Sequence, residues 1–242
     1  MTFFLLETSS SHYSMAIADE HDVLVQQDVR LTKLIASSLV PHIKGLFHKV
    51  GKAFKDIDAY GVGIGPGSFT SLRVGLSTLK GMHCAHPKPV IGIPSLDILA
   101  GKVPGEQKMI CPLIDAKRQM VYGALYGRKQ DQLIRHSGYV LCPVRELLSK
   151  VSSEVVFIGD GAELYQQDIH LWSQEKSIGF EICRENDQNV HPTAKDMFPI
   201  FLKKWQHQDF DDAEKLLPMY LYKEDCQVSP KVQPSKENNE KP

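Results

Sequence analysis

Hydrophobic residues along the first hundred positions form short runs and two longer stretches with helical spacing. Between residues 33 and 50, Leu39, Ile43 and Leu46 recur every three or four positions, which predicts a helix with one apolar stripe. The full pattern predicts strands at 3–7, 13–18, 23–29, 57–64 and 89–93, and helices at 33–50, 68–84 and 96–100. This half of the chain therefore has the order of three strands, helix, strand and helix.

The second half of the chain repeats this order. Its pattern predicts strands at 109–114, 121–126, 133–140, 155–158 and 178–183, and helices at 144–151, after the turn at 159–161, and at 193–206. In each half an acidic residue ends the first strand, Glu7 and then Asp115, and a G-x-G turn follows the fourth strand. A duplicated βββαβα unit is the ribonuclease H-like, or actin-like, plan, so we expect an α/β fold with two subdomains, residues 1–100 and 101–222.

Composition limits the class of protein. The 242 residues are 42% hydrophobic and 24% charged, as in soluble globular proteins. With 28 basic and 29 acidic residues, the chain lacks the basic excess of a protein that binds tRNA tightly by itself. Its five cysteines are widely spaced and form no C-x-x-C pair, which argues against a disulfide framework or a structural zinc site.

The chain ends also carry predictions. The apolar run at residues 3–6 is not preceded by lysine or arginine and stops at Glu7, so it does not resemble a signal peptide. No window approaches the ~20 apolar residues of a membrane span, and we expect a soluble, cytoplasmic protein. Residues 229–242 contain three prolines and few apolar side chains, which predicts a disordered tail.

Residues 65–75 place a glycine-rich turn between a predicted strand and the start of a predicted helix. Backbone N–H groups in such a turn approach an anion closely, and the helix dipole favours negative charge. The alternative is a tight turn in which Ser68 caps the helix and satisfies its free N–H groups. The candidate contacts to a nucleotide or other anion are Glu7, Gly65, Gly67, Ser68, Thr70, Arg73 and Asp115.

The sequence G-P-G-S-F-T-S-L-R-V-G at 65–75 resembles the G-P-G-S-F-T-G-L-R-I/V-G signature of the TsaB (YeaZ) family. Further segments resemble that family in the same order: residues 5–9, 91–96, 115–122, 159–162 and 218–221. The resemblance covers residues 1 to about 222. The chain departs from the family pattern at Ser71, which replaces glycine, at Glu7, which replaces aspartate, and at residues 35–41, where a histidine is missing.

The resemblance implies a non-catalytic scaffold subunit of the bacterial tRNA N6-threonylcarbamoyladenosine (t6A) machinery. Such a subunit binds a TsaD-type transferase and a TsaE-type ATPase, pairs with a second copy when alone, and meets tRNA only through the complex. It implies no cofactor of its own, with ATP or ADP as a candidate at the partner interface. Docking would use the first two helices, and the candidate residues are Leu34, Ser38, His42, Ser71, Gly75, Thr78 and Met82. The alternative is that both helices simply pack on their own sheet. If the docking interpretation holds, Gly75→Arg is expected to abolish the complex but leave the monomer folded.

A different class of function stays open as the alternative, an independent actin-like ATP-dependent enzyme or a peptidase-like protein. A kinase of this plan needs a glycine-containing phosphate turn after the first strand, and residues 8–12 contain no glycine. The chain has no H-x-x-x-H pair and no recognisable Ser/His/Asp spacing. We therefore assign no catalytic residue and no metal ligand.

Overall fold

The computed structural model describes residues 1–31, 35–106, 108–130, 132–184 and 190–221. The candidate docking residue Leu34 and the predicted tail at 229–242 lie outside the described residues.

The first sheet has five strands in the order β3-β2-β1-β4-β5. They are β1 Phe3–Glu7, β2 His12–Ala18, β3 Val23–Arg30, β4 Ala59–Gly65 and β5 Val90–Pro94. The central strand β1 pairs antiparallel with β2 and parallel with β4. Every residue of β1 is buried, because helices cover both faces of the sheet.

Alternation along β1 sends its side chains to two separate cores. Phe4 and Leu6 join the core beneath two helices, α1 Ile35–Lys49 and α2 Phe69–Ala85. Phe3 and Leu5 join the core on the opposite face. That face is covered by α7 Ala194–Gln206. Thr193 is the N-cap residue of this helix, and its side chain accepts from the N–H of Asp196.

The second sheet repeats the strand plan of the first, in the order β10-β7-β6-β11-β12. Its strands are β6 Met109–Asp115, β7 Met120–Gly123, β8 Tyr126–Lys129, β9 Gln132–Arg135, β10 Val140–Pro143, β11 Val155–Ile158 and β12 Phe180–Ile182. Strand β6 takes the place of β1, with an antiparallel neighbour on one side and a parallel neighbour on the other. The helices of this half are α4 Val144–Leu148, α5 Asp160–Leu164 and α6 Gln166–Lys176. The predicted α/β plan with a duplicated unit is confirmed.

Two predicted strands of the second half were wrong in extent. The predicted strand at 121–126 is divided into β7 and β8, which pair with the two ends of β6 in one continuous register. The gap falls opposite Pro112, which has no N–H to donate. The predicted strand at 133–140 is likewise divided, because β9 pairs with β8 whereas β10 pairs with β7.

The short helix α3, Ser95–Gly101, connects the two sheets and is buried on most sides. Its leucines and Ala100 pack in a core with residues of the second sheet, while Ile98 packs with the first. The boundary between 1–100 and 101–222 stays a prediction. The packing nevertheless places α7 on the first sheet, whereas that prediction grouped residues 194–206 with the second half. Within the described ranges, no helix combines the length and apolar character needed to cross a membrane.

Candidate functional site

A cleft of about 410 Å³ lies at the carboxyl ends of the central strands of the two sheets. Ligands of open α/β sheets bind at such strand ends, so this cleft is the first candidate site. Its walls come from the turn after β1, the glycine turn after β4, the turn after β6 and the start of α5. The polar lining residues include Ser9, Ser10, Ser11, Ser68, Asp115, Lys117, Asp160 and Tyr220.

The glycine turn packs directly against the turn after β1. Gly65 and Gly67 have φ values of +89° and +158°, which favour glycine. A Cβ on Gly67 would lie 2.2 Å from the carbonyl oxygen of Ser9, and the N–H of Ser68 donates to that oxygen at 2.7 Å. One backbone N–H of the candidate anion cradle is therefore already used within the protein.

Ser68 occupies the N-cap position of α2, as predicted, but its side chain does not cap the helix. Its hydroxyl donates instead to the hydroxyl of Ser71 at 3.1 Å. Thr70 and Arg73 follow in the first turns of α2 and are exposed. Of these residues only Ser68 lines the cleft, together with Gly67.

Glu7 is fully buried and does not line the cleft, although the sequence made it a candidate contact. Its Oε1 accepts from the N–H of Ser9 at 2.6 Å, and its Oε2 accepts from the hydroxyl of Ser95 at 3.1 Å. A Cβ on Gly63 would lie 1.8 Å from Oε2, so the carboxyl fits only because this residue is glycine. Burial raises the pKa of Glu7, because the charged form loses its hydration.

Two carboxylates and one lysine meet on the other wall of the cleft. The Lys117 ammonium lies 2.6 Å from Oδ2 of Asp115, and Asp160 Oδ1 accepts from the N–H of Asp115 at 3.0 Å. Burial raises the pKa of Asp160, and the Asp115 carboxylate raises it further. The hydrogen bond to Asp115 raises the pKa of Lys117. Asp115 was a predicted contact, whereas Lys117 and Asp160 were missed, although both stand in segments that carry the family resemblance.

This arrangement does not fit a bare nucleotide phosphate. Asp115 and Asp160 would repel it, and the ammonium of Lys117 is already paired with one of them. Among the described residues no group of three histidine, cysteine, aspartate or glutamate side chains is placed to hold a metal ion. The cleft on its own thus offers hydroxyl groups and carboxylates but little positive charge.

The candidate docking residues of α1 face inward. Ser38 and His42 are half-buried, and both form hydrogen bonds with the hydroxyl of Tyr13 on β2. The donation from Tyr13 to Ser38 spans 3.1 Å. These two side chains therefore fix α1 on its own sheet.

The candidate docking residues of α2 also lie on its inner side. Ser71 and Gly75 are buried, and the hydroxyl of Thr8 donates to the carbonyl of Ser71 at 3.0 Å. A Cβ on Gly75 would lie 2.3 Å from Oγ1 of Thr8. Thr78 and Met82 are half-buried, and Met82 packs on the core. The expectation that Gly75→Arg leaves the monomer folded does not agree with this packing.

The opposite sides of the same two helices are exposed and carry small or cationic residues. We call this surface the outer α1–α2 face, and it consists of Ala36, Val40, Lys44, Arg73, Ser77 and Gly81. Val40 is 47% exposed, and nothing lies within 4 Å of the Cβ position of Gly81. Ala36, Ser77 and Gly81 are small, so another backbone can approach closely at these positions.

Comparisons with known proteins bear on this geometry. The family model described as "TsaD: tRNA N6-adenosine threonylcarbamoyltransferase" matches residues 32–209. A relative from Bacillus subtilis (strain 168), named tRNA threonylcarbamoyladenosine biosynthesis protein TsaB, is 27% identical over 91% of this chain and 94% of its own length. The protein of the same name from Escherichia coli (strain K12) is 27% identical over 76% of this chain and 78% of its own length.

A solved structure shares the fold. It is a Pseudomonas aeruginosa protein described as uncharacterized with similarity to peptidase YEAZ, and it aligns with a TM-score of 0.76 at 24% identity, over 91% of this chain and 99% of that chain. The repeated strand plan and the cleft between the two sheets define an actin-like α/β protein. The chain belongs to the family that the TsaD model describes and, within it, to the TsaB (YeaZ) proteins.

Proposed function

We propose that this chain takes part in the biosynthesis of t6A, the modified adenosine 3′ of the anticodon, as an accessory subunit without catalytic activity of its own. The observation that carries the proposal is the match, over nearly the full length of both chains, to a relative named for this pathway. In this role the chain binds and activates a TsaD-type transferase, together with a TsaE-type ATPase. The transferase then supplies the chemistry of threonylcarbamoyl transfer to N6 of adenosine.

The cleft supports an accessory role. The buried Glu7 bonds internally to Ser9 and Ser95, and the N–H of Ser68 is taken by Ser9. Groups that an actin-like enzyme would turn toward a ligand thus hold the protein together here. A nucleotide at the partner interface remains part of the proposal, with the partner providing cations in addition to Lys117, which is already paired with Asp115.

The outer α1–α2 face is the proposed docking surface for the transferase, or for a second copy when the transferase is absent. Its support is geometric, because the inner sides of both helices already have partners in the fold. The proposal therefore keeps the two predicted helices but moves the contact from Ser71 and Gly75 to residues such as Ser77 and Gly81.

The test is a reconstituted modification reaction with unmodified tRNA, threonine, bicarbonate, ATP, the enzyme that forms threonylcarbamoyl-AMP, and the TsaD-type and TsaE-type proteins. Nucleoside mass spectrometry measures t6A with and without this chain. We expect modification to require the chain, while the chain alone turns over no ATP. Equal modification without the chain contradicts the accessory role, and magnesium-dependent ATP turnover by the isolated chain favours the alternative of an independent enzyme.

A further inference from the structure

Arg73 lies on a small aromatic cluster where the outer α1–α2 face meets the mouth of the cleft. Its guanidinium carbon lies 3.8 Å from the centre of the Phe69 ring, one helical turn earlier. Its Nε donates to the hydroxyl of Tyr220 at 3.0 Å, and the Phe69 and Tyr220 rings lie 5.4 Å apart. We call these three residues the Arg73 cluster.

The guanidinium is held in place but not neutralised. Stacking fixes one of its faces, and the bond to Tyr220 uses one of its five donors. Among the described residues Arg73 forms no ion pair, and no hydrogen bond involves its two terminal nitrogens. An arginine fixed in this way loses little side-chain entropy when it binds a planar anion through two parallel bonds.

The cluster is exposed although it is partly apolar. Phe69 is 49% exposed and Tyr220 is 42% exposed. Arginine and tyrosine are among the residue types that most often carry the binding energy of protein interfaces, where surrounding contacts exclude water. This surface therefore has the composition of an interface centre.

The charge of the two helices indicates the partner. Neither α1 nor α2 contains an aspartate or glutamate, and their lysines and arginine are Lys44, Lys49, Arg73 and Lys80. The whole chain, in contrast, is nearly neutral, with 28 basic and 29 acidic residues. The two helices therefore carry four basic residues and no carboxylate, and two of the four, Lys44 and Arg73, lie on the outer α1–α2 face. An acidic surface is the electrostatic complement of that face.

We infer that the Arg73 cluster is the anchor of the docking surface and that it receives a carboxylate side chain from an acidic patch of the TsaD-type partner. This inference rests on the proposed function. The partner carboxylate accepts two N–H bonds from the terminal nitrogens of Arg73, and apolar atoms beside it cover Phe69 and Tyr220. The occupant is a protein and not an RNA, because the guanidinium lies beside two exposed aromatic rings, as at the centre of a protein interface, and the chain lacks a basic excess.

The experiment measures the affinity of the full chain for the purified TsaD-type protein from the same genome, by calorimetry at two salt concentrations. Arg73→Gln removes the charge and the guanidinium donors but keeps a polar side chain, and Arg73→Lys keeps the charge but removes the second donor arm. We expect both to weaken binding about tenfold to a hundredfold. Lys55→Glu, an exposed charge change outside the outer face, serves as the control and is expected to bind as the unmodified chain does.

Salt dependence and thermal unfolding separate a direct contact from a structural effect. We expect the affinity of Arg73→Gln to fall less steeply with salt than that of the unmodified chain, at an unchanged unfolding temperature. Equal affinity and equal salt dependence overturn the inference but leave the proposed function standing. Failure of the unmodified chain to bind the transferase overturns both the inference and the proposed function. Variants that lose affinity for tRNA but not for the transferase overturn the choice of a protein carboxylate as the occupant.

Discussion

The hydroxyl of Ser95 donates a buried hydrogen bond of 3.1 Å to Oε2 of Glu7, which joins the first residue of α3 to the last residue of β1. Two residues further along α3, Asp97 accepts from two tyrosine hydroxyls of the second half. The carboxyl group at the end of β1 is thus one end of a polar connection between the sheets. In this protein Glu7 links structural elements instead of facing the cleft.

We predict that Glu7→Gln stabilises the protein increasingly as pH rises. The glutamine oxygen can accept from Ser9 and its amide can donate to the hydroxyl of Ser95, so the geometry is kept. Because burial raises the pKa of Glu7 above 4.5, the unmodified protein loses unfolding free energy as pH rises from 4.5 through the folded pKa of Glu7. Chemical unfolding across this pH range measures the difference, and an advantage for Glu7 that grows with pH would contradict it.

The control is Glu7→Ala, which removes the hydrogen-bond acceptor as well as the charge. It leaves the N–H of Ser9 without its partner and opens a cavity beside Gly63. We expect it to cost about 2–4 kcal/mol of unfolding free energy at low pH, where Glu7 is protonated. This cost should shrink as pH rises through the folded pKa of Glu7, because only the unmodified chain loses stability there.

Two glycines of α2 should respond in opposite ways to alanine. At Gly75 the new Cβ meets Thr8 Oγ1 at 2.3 Å, so Gly75→Ala is expected to lower the unfolding free energy by about 1–3 kcal/mol. At Gly81 no atom lies within 4 Å, so Gly81→Ala should raise it by about 0.5–1 kcal/mol through helix propensity. Urea unfolding compares them, and equal effects would show that residue 75 is not in contact with Thr8.

A double-mutant cycle identifies the contact behind this difference. In a Thr8→Ala background the side chain that blocks residue 75 is absent, and Gly75→Ala should then cost less than in the unmodified chain. If the unfolding free-energy changes of the two substitutions simply add, the cost of Gly75→Ala does not come from contact with Thr8.

Asp97 should contribute strongly to the connection between the two sheets. Its Oδ1 accepts from the hydroxyls of Tyr126 at 2.6 Å and Tyr139 at 2.8 Å. Burial, and then the Asp97 carboxylate, raise the pKa of both tyrosines. We predict that Asp97→Ala costs about 2–4 kcal/mol, since it leaves two hydroxyls unpaired, whereas Tyr139→Phe costs about 1 kcal/mol. Urea unfolding measures both losses. A loss for Asp97→Ala no larger than that for Tyr139→Phe would contradict the prediction.

The sequence predicted the duplicated plan because its signals are local. Buried strands such as β1 and β11 are short apolar runs, and α1 shows its apolar stripe at regular spacing. The division of the strand at 121–126 was not predictable from that segment alone. Pro112, which lies opposite the gap and has no N–H to donate, is on the neighbouring strand.

The candidate site was harder to predict, because the spacing of residues along a helix does not show which distant part of the chain packs against them. Ser38 and His42 stand beside the apolar stripe of α1, but their partner Tyr13 lies 25 and 29 residues away along the chain. Small residues such as Gly75 permit a close approach by any group, and only the fold shows that Thr8 makes it. Asp160 was missed because its partner in the cleft wall, Asp115, lies 45 residues away along the chain.

Nucleotide binding by the isolated chain should be weak. The carboxylates of Asp115 and Asp160 face the cleft, and Lys117 is paired with the first of them. We predict a dissociation constant for magnesium ATP above about 1 mM, as expected where charge repulsion is not offset. In the complex with the transferase, Lys117→Ala should weaken nucleotide binding, because it leaves the Asp115 carboxylate without its cation. Micromolar binding by the chain alone in calorimetry would refute the prediction and support an independent enzyme.

A bulky residue on the outer α1–α2 face should separate docking from folding. Ser77 is exposed on α2, so Ser77→Arg is expected to leave the unfolding temperature within about 2 °C, because exposed substitutions change stability little. If the partner packs on this face, the arginine holds the two backbones apart and should weaken binding at least about tenfold. Gln174→Arg on the exposed side of α6 is the matched control. Sedimentation velocity with and without the TsaD-type protein measures both assemblies, and unchanged assembly of Ser77→Arg would exclude this face as the docking surface.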